Sequence, residues 1–357
     1  MTVLVTGGFG LVGRSVVQSL LEAGHRIRLF DRAQAVVPRR LLARLSGALR
    51  RKTRQALSRI EFRKGDICNI ADVGRAAKGV DAVVHLAAMI PPAADRNPEN
   101  ADYVNRGGTM NLVRACEDER APIRFVFSSS IAVYGDRLSD PQIRLTDTPK
   151  PEIHDTYAVQ KLAAEQIVTE SSLNWSIFRL TAIASPDKLG LDPLLFEMPL
   201  RTPIEWCTAR DAGRALARAV EHPELNGRIL HLAGGARCRA TFREYLDEML
   251  DIMGLGRGFL PDEAFGPGPF HCGFMDAGPA QEVLRFQSES LDDYYAQVKR
   301  RVAIRRPLFR ILRPLIRAYL VSRSPHWRKY RNRNPARARR RVRFGWIFAG
   351  NQGRQML

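Results

Sequence analysis

The first apolar run, Val3–Val5, leads directly into Thr6-Gly7-Gly8-Phe9-Gly10-Leu11-Val12-Gly13, and nothing else in the chain constrains its fold as strongly. Gly7, Gly10 and Gly13 recur every third residue between a β-rich run and the helical pattern Val12–Glu22. Glycine is needed where a backbone turns sharply or where another group must approach the main chain closely. A helix opening at such a turn aims its unpaired N–H groups and positive dipole end at one point, which suits a pyrophosphate. The order strand, glycine turn, helix predicts a βα unit in which Gly7, Phe9, Gly10, Leu11 and Gly13 contact a dinucleotide.

The pattern continues to residue 180. Strand candidates are Thr2–Thr6, Arg26–Phe30, Ile60–Lys64, Ala82–Leu86, Arg124–Ser128 and Trp175–Leu180, with helical patterns such as Thr109–Asp118 and Tyr157–Thr169 between them. Alternation of this kind predicts an α/β fold, a doubly wound parallel sheet covered on both faces. Residues 181–298 read as a small substrate-binding lobe, with a helix near Asp211–Glu221, a strand near Arg228–Ala233 and a helix near Thr241–Met253. Residues 299–357 read as a basic tail.

Asp31 ends the second strand, 18 residues after Gly13, where a carboxylate accepts hydrogen bonds from ribose hydroxyls and repels a 2′-phosphate. That favours NAD, while the adjacent Arg32 leaves NADP open. Tyr157 and Lys161 stand four residues apart and share a helix face. An ammonium beside a phenol lowers the phenol's pKa from about 10 and makes a general acid/base of it. Ser130 would orient a substrate oxygen toward that phenol. The five cysteines are scattered without a CxxC pair, so neither a disulfide framework nor a metal site is expected.

With these residues the chain resembles the extended short-chain dehydrogenase/reductase family, the NAD-dependent epimerase/dehydratase group, whose fold is Rossmann-type. The motifs occur in the family's order. They are Thr6–Gly13, Asp31, Gly65-Asp66-Ile67, His85-Leu86-Ala87-Ala88, Asn105 with Gly108, Thr109 and Asn111, Ser128–Ser130 with Val133-Tyr134-Gly135, and Tyr157 with Lys161. The resemblance implies that Asp66 and Ile67 flank the adenine and that Leu86, Ala87 and Ala88 pass close to the cofactor. Asn105, Ser128, Tyr157 and Lys161 join the cofactor contacts, and Lys161 grips the nicotinamide ribose. Ser130, Tyr157 and Lys161 form the catalytic triad. The resemblance also implies a homodimer through two helices of the nucleotide-binding domain.

The chain departs from the family after the sixth strand. Arg179 is followed by Leu180-Thr181 instead of Pro, and only 31 residues separate Arg179 from Asp211, too few for the loop and helix that clamp a sugar nucleotide. The expected pocket wall, Met89-Ile90-Pro91-Pro92 with Leu194, Leu195, Phe196 and Met198, is apolar; Ser129 and Thr181 complete it. A compact or apolar substrate is expected, with a sugar nucleotide as the alternative. Release of a redox product, return of the hydride to one substrate, and cofactor binding without turnover all stay open.

Charge is distributed unevenly. The net charge of +19 lies wholly in residues 299–357, which hold 19 Lys and Arg and no Asp or Glu. Leu308, Ile311, Leu312, Leu315, Ile316 and Tyr319 oppose an arc of Arg306, Arg310, Arg313 and Arg317, with Pro314 expected to kink the helix. A second basic segment, 39–59, reads as an insertion. Basic amphipathic stretches with aromatics predict attachment to an anionic membrane surface through 306–348; competing readings are nucleic-acid binding, which is less favoured, and a tail packed on the body. No leader or membrane-spanning run is visible, so the expected location is cytoplasmic, peripheral on the inner face of the membrane.

Overall fold

The computed structural model describes residues 1–32, 58–187, 189 and 193–333. Most of the 39–59 insertion and the part of the tail beyond Arg333, including Phe344 and Trp346, lie outside them. The first half of the chain forms β1 (Thr2–Thr6), α1 (Leu11–Glu22), β2 (Arg26–Asp31), β3 (Ile60–Lys64), α2 (Ile70–Ala77), β4 (Ala82–His85), α3 (Gly108–Glu117), β5 (Arg124–Ser130), α4 (Thr156–Thr169) and β6 (Asn174–Leu180). After these come β7 (Ala182–Ala184), β8 (Pro203–Thr208), α5 (Ala209–Ala219) and β9 (Arg228–Leu232).

A seven-stranded sheet runs in the order β9-β6-β5-β4-β1-β2-β3, with parallel pairing throughout. The strand order reverses between β1 and β4, and at such a switch point the carboxyl ends of the strands open a crevice. Alternation along the strands covers both faces. Val3, Val5 and Val126 join one core with Val16, Leu20 and Leu216. Leu4, Phe125 and Phe127 join the other with Val73, Leu112 and Ala164. Helix α5 packs on α1 so closely that a Cβ at Gly213 would lie 2.4 Å from the Ser15 Cβ.

The chain divides into two compact units, and the division differs from the contiguous boundaries expected from the sequence. One unit comprises residues 1–185, 205–238 and 271–289; the other comprises 186–204, 239–270 and 290 onward. The strand near Arg228, expected in a separate lobe, instead pairs with Ser176–Leu180 at the edge of the main sheet. The apolar Ile229, Leu230 and Leu232 find burial there that a small lobe offers less readily. The second unit contains α6 (Phe242–Ile252), α7 (Leu291–Val302), α8 (Arg306–Ile311), α9 (Arg313–Arg323) and α10 (Pro325–Arg333). Capping boxes at Thr241/Glu244 and Ser290/Asp293 start α6 and α7. Pro314 does interrupt the tail helix: α8 ends at Ile311, and Pro314 occupies the first turn of α9, where its missing N–H costs nothing.

Candidate active site

The crevice at the switch point is a cleft of about 310 Å³ lined by Gly7, Gly10, Asp31, Arg32, Asp66, Ile67, Leu86, Ala87, Ala88 and Met89, together with Phe30, Gly65 and Val104. Its floor is glycine by necessity. Gly7 has φ +67°, and a Cβ there would lie 2.8 Å from the Ala87 backbone N. Gly13 does not line the cleft; a Cβ on it would lie 2.4 Å from Gly7 O, so its role is to let α1 start against the turn. The helix start carries no side-chain cap and no acidic residue in its first turn. Its N–H groups therefore have no side-chain acceptor from their own turn, as the phosphates of a dinucleotide require. Two carboxylates, Asp31 and Asp66, stand in the same cleft, and Arg32 lies 3.7 Å from Asp66. These features fit a dinucleotide with unmodified ribose hydroxyls. Phe9 points elsewhere, its ring 5.7 Å from that of Phe62, and Leu11 is partly buried in the first turn of α1.

Helix α4 presents Tyr157 and Lys161. Asp155 caps it, accepting from Ala158 N at 3.0 Å, and is held in turn by His271 at 2.9 Å. Ser130, the last residue of β5, hydrogen-bonds to Tyr157, and its Oγ also accepts from Ala132 N at 3.2 Å. The electrostatics differ from the sequence expectation. Burial pushes the Tyr157 phenol up to about 12, against the opposing hydrogen bond from Ser130 and with a smaller contribution from Asp155. Burial pushes the Lys161 ammonium down to about 7, with Glu165 acting in its favour. The Lys161 Nζ lies 4.1 Å from the centre of the Phe127 ring. The phenol thus keeps its proton and the Lys161 ammonium carries its charge at a cost; burial, and not Lys161, governs the phenol.

Lys161 therefore costs stability, with a definite sign. Its folded pKa lies below the unfolded value, so between about pH 7 and 10.5 the unfolded chain binds the extra proton. The penalty is complete below pH 7 and fades as pH rises through that window. In cofactor-free protein, Lys161→Met is expected to raise stability more at pH 6 than at pH 9, by about 3 kcal/mol. Urea unfolding at the two pH values measures this, and a pH-independent gain would contradict it.

Asn105 serves the framework around the cleft. A π-helical turn, Tyr103–Gly107, rotates it inward before α3 begins. Its Oδ1 accepts from Met89 N at 2.7 Å, and its Nδ2 donates to Met89 O at 2.9 Å and to Gln160 Oε1 at 2.8 Å. The amide is fully used, and it ties the Met89 end of the cleft to the helix turn between Tyr157 and Lys161. His85 forms a second tie. Thr109 Oγ1 donates to Asn105 O at 2.6 Å, so it accepts from His85 Nε2 at 3.0 Å. His85 Nδ1 then accepts from Thr6 Oγ1 at 2.7 Å, which leaves the Thr6 lone pairs for Leu86 N and Ala87 N. Burial holds this histidine down at about 3, and it stays neutral.

Other expected site residues serve elsewhere. Strand alternation sets Ser129 on the opposite side of β5 from Ser128 and Ser130, and it is buried. Ser128 Oγ donates to His85 O at 2.9 Å. Thr181 is buried and donates to Glu205 O at 2.6 Å, so its hydroxyl is not available to line a pocket. Ile90 is 49% exposed. Phe196 and Met198 are buried in the second unit, where the Phe196 ring lies 5.4 Å from that of Phe265. The side chain of Leu194 falls outside what is described.

One arrangement escaped the sequence reading. Glu165, one turn beyond Lys161, takes Arg179 in a two-pronged pair at 3.0 and 2.7 Å. Arg179 Nη1 also donates to Tyr134 Oη at 2.6 Å, and Tyr134 meets His231 Nε2 at 2.6 Å. Burial, reinforced by Arg179, holds His231 down at about 4. The i+4 spacing of Lys161 and Glu165 was visible in the sequence; the pairing across the sheet was not.

The family model described as the NAD dependent epimerase/dehydratase family matches residues 3–198. The 3 beta-hydroxysteroid dehydrogenase/Delta 5→4-isomerase of Mycobacterium tuberculosis is 30% identical over 244 residues, which is 65% of this chain and 60% of that protein's length. The CDP-paratose 2-epimerase of Salmonella typhi is 28% identical over 199 residues, 50% of this chain and 56% of the relative. Among solved structures, a dTDP-glucose 4,6-dehydratase from Streptomyces venezuelae with bound NAD superposes with TM-score 0.69 at 23% identity, covering 86% of this chain and 98% of that one. The UDP-glucuronic acid 4-epimerase of Bacillus cereus, with UDP-glucuronic acid and NAD, gives 0.67 at 19% identity, covering 85% and 99%. Both share this fold. The model's match extends over more than half of the chain and over every element of the cleft, and the protein belongs to the NAD-dependent epimerase/dehydratase family.

Proposed function

We propose that this protein is an NAD-dependent oxidoreductase acting at a secondary alcohol or ketone carbon of a compact, apolar small molecule. The observation that carries the reading is a cleft whose glycine turn, helix start and two carboxylates suit a dinucleotide, with Asn105 bonding both Met89 of that cleft and Gln160 of the helix that bears Tyr157 and Lys161. Gly7, Gly10 and the start of α1 hold the pyrophosphate, and Asp31 and Asp66 take the adenosine end. When bound, the nicotinamide supplies or accepts the hydride. Tyr157 exchanges the proton of the substrate oxygen, Ser130 orients that oxygen, and Lys161 places positive charge beside the phenol. A carbonyl reduction draws directly on the proton that burial keeps on Tyr157.

The steroid dehydrogenase relative supports an apolar alcohol as substrate, as does the short interval between Arg179 and Asp211. The sugar-nucleotide enzymes sharing the fold support a second reading, an epimerase or dehydratase that retains NAD. A panel of hydroxysteroids and of UDP-, dTDP- and CDP-sugars, assayed with NAD, separates the two. Net NADH formed from a hydroxysteroid is expected. A sugar nucleotide converted without net NADH would replace the first reading with the second, and NAD binding with turnover of neither class would leave a cofactor-binding scaffold.

The reading includes peripheral attachment to an anionic membrane through the basic C-terminal segment, the phase into which an apolar substrate partitions. Among the described residues no helix is long and apolar enough to cross a membrane. A homodimer is part of the reading as well, and sedimentation equilibrium tests it.

A further inference from the structure

The tail helices of the second unit bury Leu320, Val321 and Trp327 but also draw arginines inward. Arg306, Arg313 and Arg317 turn inward: Arg306 Nη2 donates to Asp251 O at 3.4 Å, Arg313 lies 5.6 Å from the centre of the Phe259 ring, and Arg317 Nε donates to Phe259 O at 2.8 Å. Asp251 is in the last turn of α6, where free carbonyls and the negative dipole end favour a guanidinium. With the arginines drawn inward, part of the apolar face is left outside. Ile304 is 94% exposed, Leu308 53%, Ile311 77%, Leu315 69% and Tyr319 62%. These residues recur every three or four positions from the turn before α8 through α9.

We infer that this outward ridge is the surface by which the protein lies on an anionic lipid bilayer, an inference that rests on the peripheral-membrane reading above. Charge complementarity selects the occupant. Residues 299–333 hold 13 Lys and Arg and no Asp or Glu, and Arg300, Arg301, Arg305, Arg310 and Arg323 are exposed along the same stretch. Shape agrees: a narrow row of five apolar side chains spread over two successive helices and the turn before them suits shallow insertion between headgroups. Tyr319, apolar with a polar tip, fits the level of the headgroups.

Flotation with vesicles of phosphatidylglycerol and phosphatidylcholine tests the inference, using the full chain and its Leu308→Ser/Ile311→Ser/Leu315→Ser variant. The wild type is expected to float with mixed vesicles and not with phosphatidylcholine alone. The variant is expected to bind at least roughly tenfold more weakly, with unchanged NAD affinity as the measure of intact folding. Equal binding by the variant would overturn the ridge while leaving peripheral attachment through other basic segments standing. A wild type that floats with neither vesicle would overturn both. Sedimentation equilibrium showing a wild-type dimer that the variant abolishes would assign the ridge to a second copy of the chain instead.

Discussion

Tyr157→Phe is expected to lower turnover by about a thousandfold, within the ~10²–10⁴ range for loss of a positioned general acid or base. The substitution removes one oxygen and leaves the ring, so helix α4 and its Asp155 cap are untouched. It removes the proton that the phenol holds with its pKa pushed up to about 12, and with it the hydrogen bond to Ser130. Cofactor affinity should change less than twofold, because the glycine turn, Asp31 and Asp66 stand at the other end of the cleft. Single-turnover kinetics with saturating NADH measures the step directly. A variant that retains more than a tenth of wild-type turnover would remove Tyr157 from the chemistry.

Arg179→Met is expected to cause the largest loss of stability. Arg179 and Glu165 side chains are 5% and 4% exposed, and the guanidinium serves both carboxylate oxygens and the Tyr134 hydroxyl. Removing it strands a buried carboxylate, at about 3–5 kcal/mol. In a domain of this size that corresponds to about 10 °C in Tm. Replacing both partners with apolar side chains strands nothing, so Glu165→Leu/Arg179→Met should recover most of the loss. Thermal unfolding of the three proteins checks the cycle; a double variant less stable than Arg179→Met would show that the pair's value lies in packing and not in mutual compensation.

The parts of this fold that local pattern controls were legible in the sequence. The Gly7–Gly13 turn, the Val/Ile-rich strands and the Tyr157/Lys161 spacing each depend on neighbours within a few residues. The parts that depend on distant partners were not. The apolar run at Arg228–Leu232 reads the same whether it closes a lobe or extends the main sheet, and pairing with β6 decides it. Asn105 reads as a cofactor contact until the π turn directs it at Met89 and Gln160. The tail's periodicity separates arginines from leucines but does not say which face turns inward; the Asp251 and Phe259 carbonyls, with the Phe259 ring, turn the arginine side inward. The Tyr157 electrostatics are not legible in the spacing for a related reason, since burial is a property of the assembled site and outweighs the neighbouring charge.

Calorimetric titration of NAD and NADP into the full chain and into Gly13→Val tests whether the cleft holds a dinucleotide. A valine at residue 13 would drive its side chain against Gly7 O and the Gly8 backbone and open the turn on which the cleft depends. The expected result is one NAD site per chain, weaker binding of NADP because of Asp31 and Asp66, and loss of both in the variant. Absence of NAD binding to the wild type, or equal binding to Gly13→Val, would contradict the account.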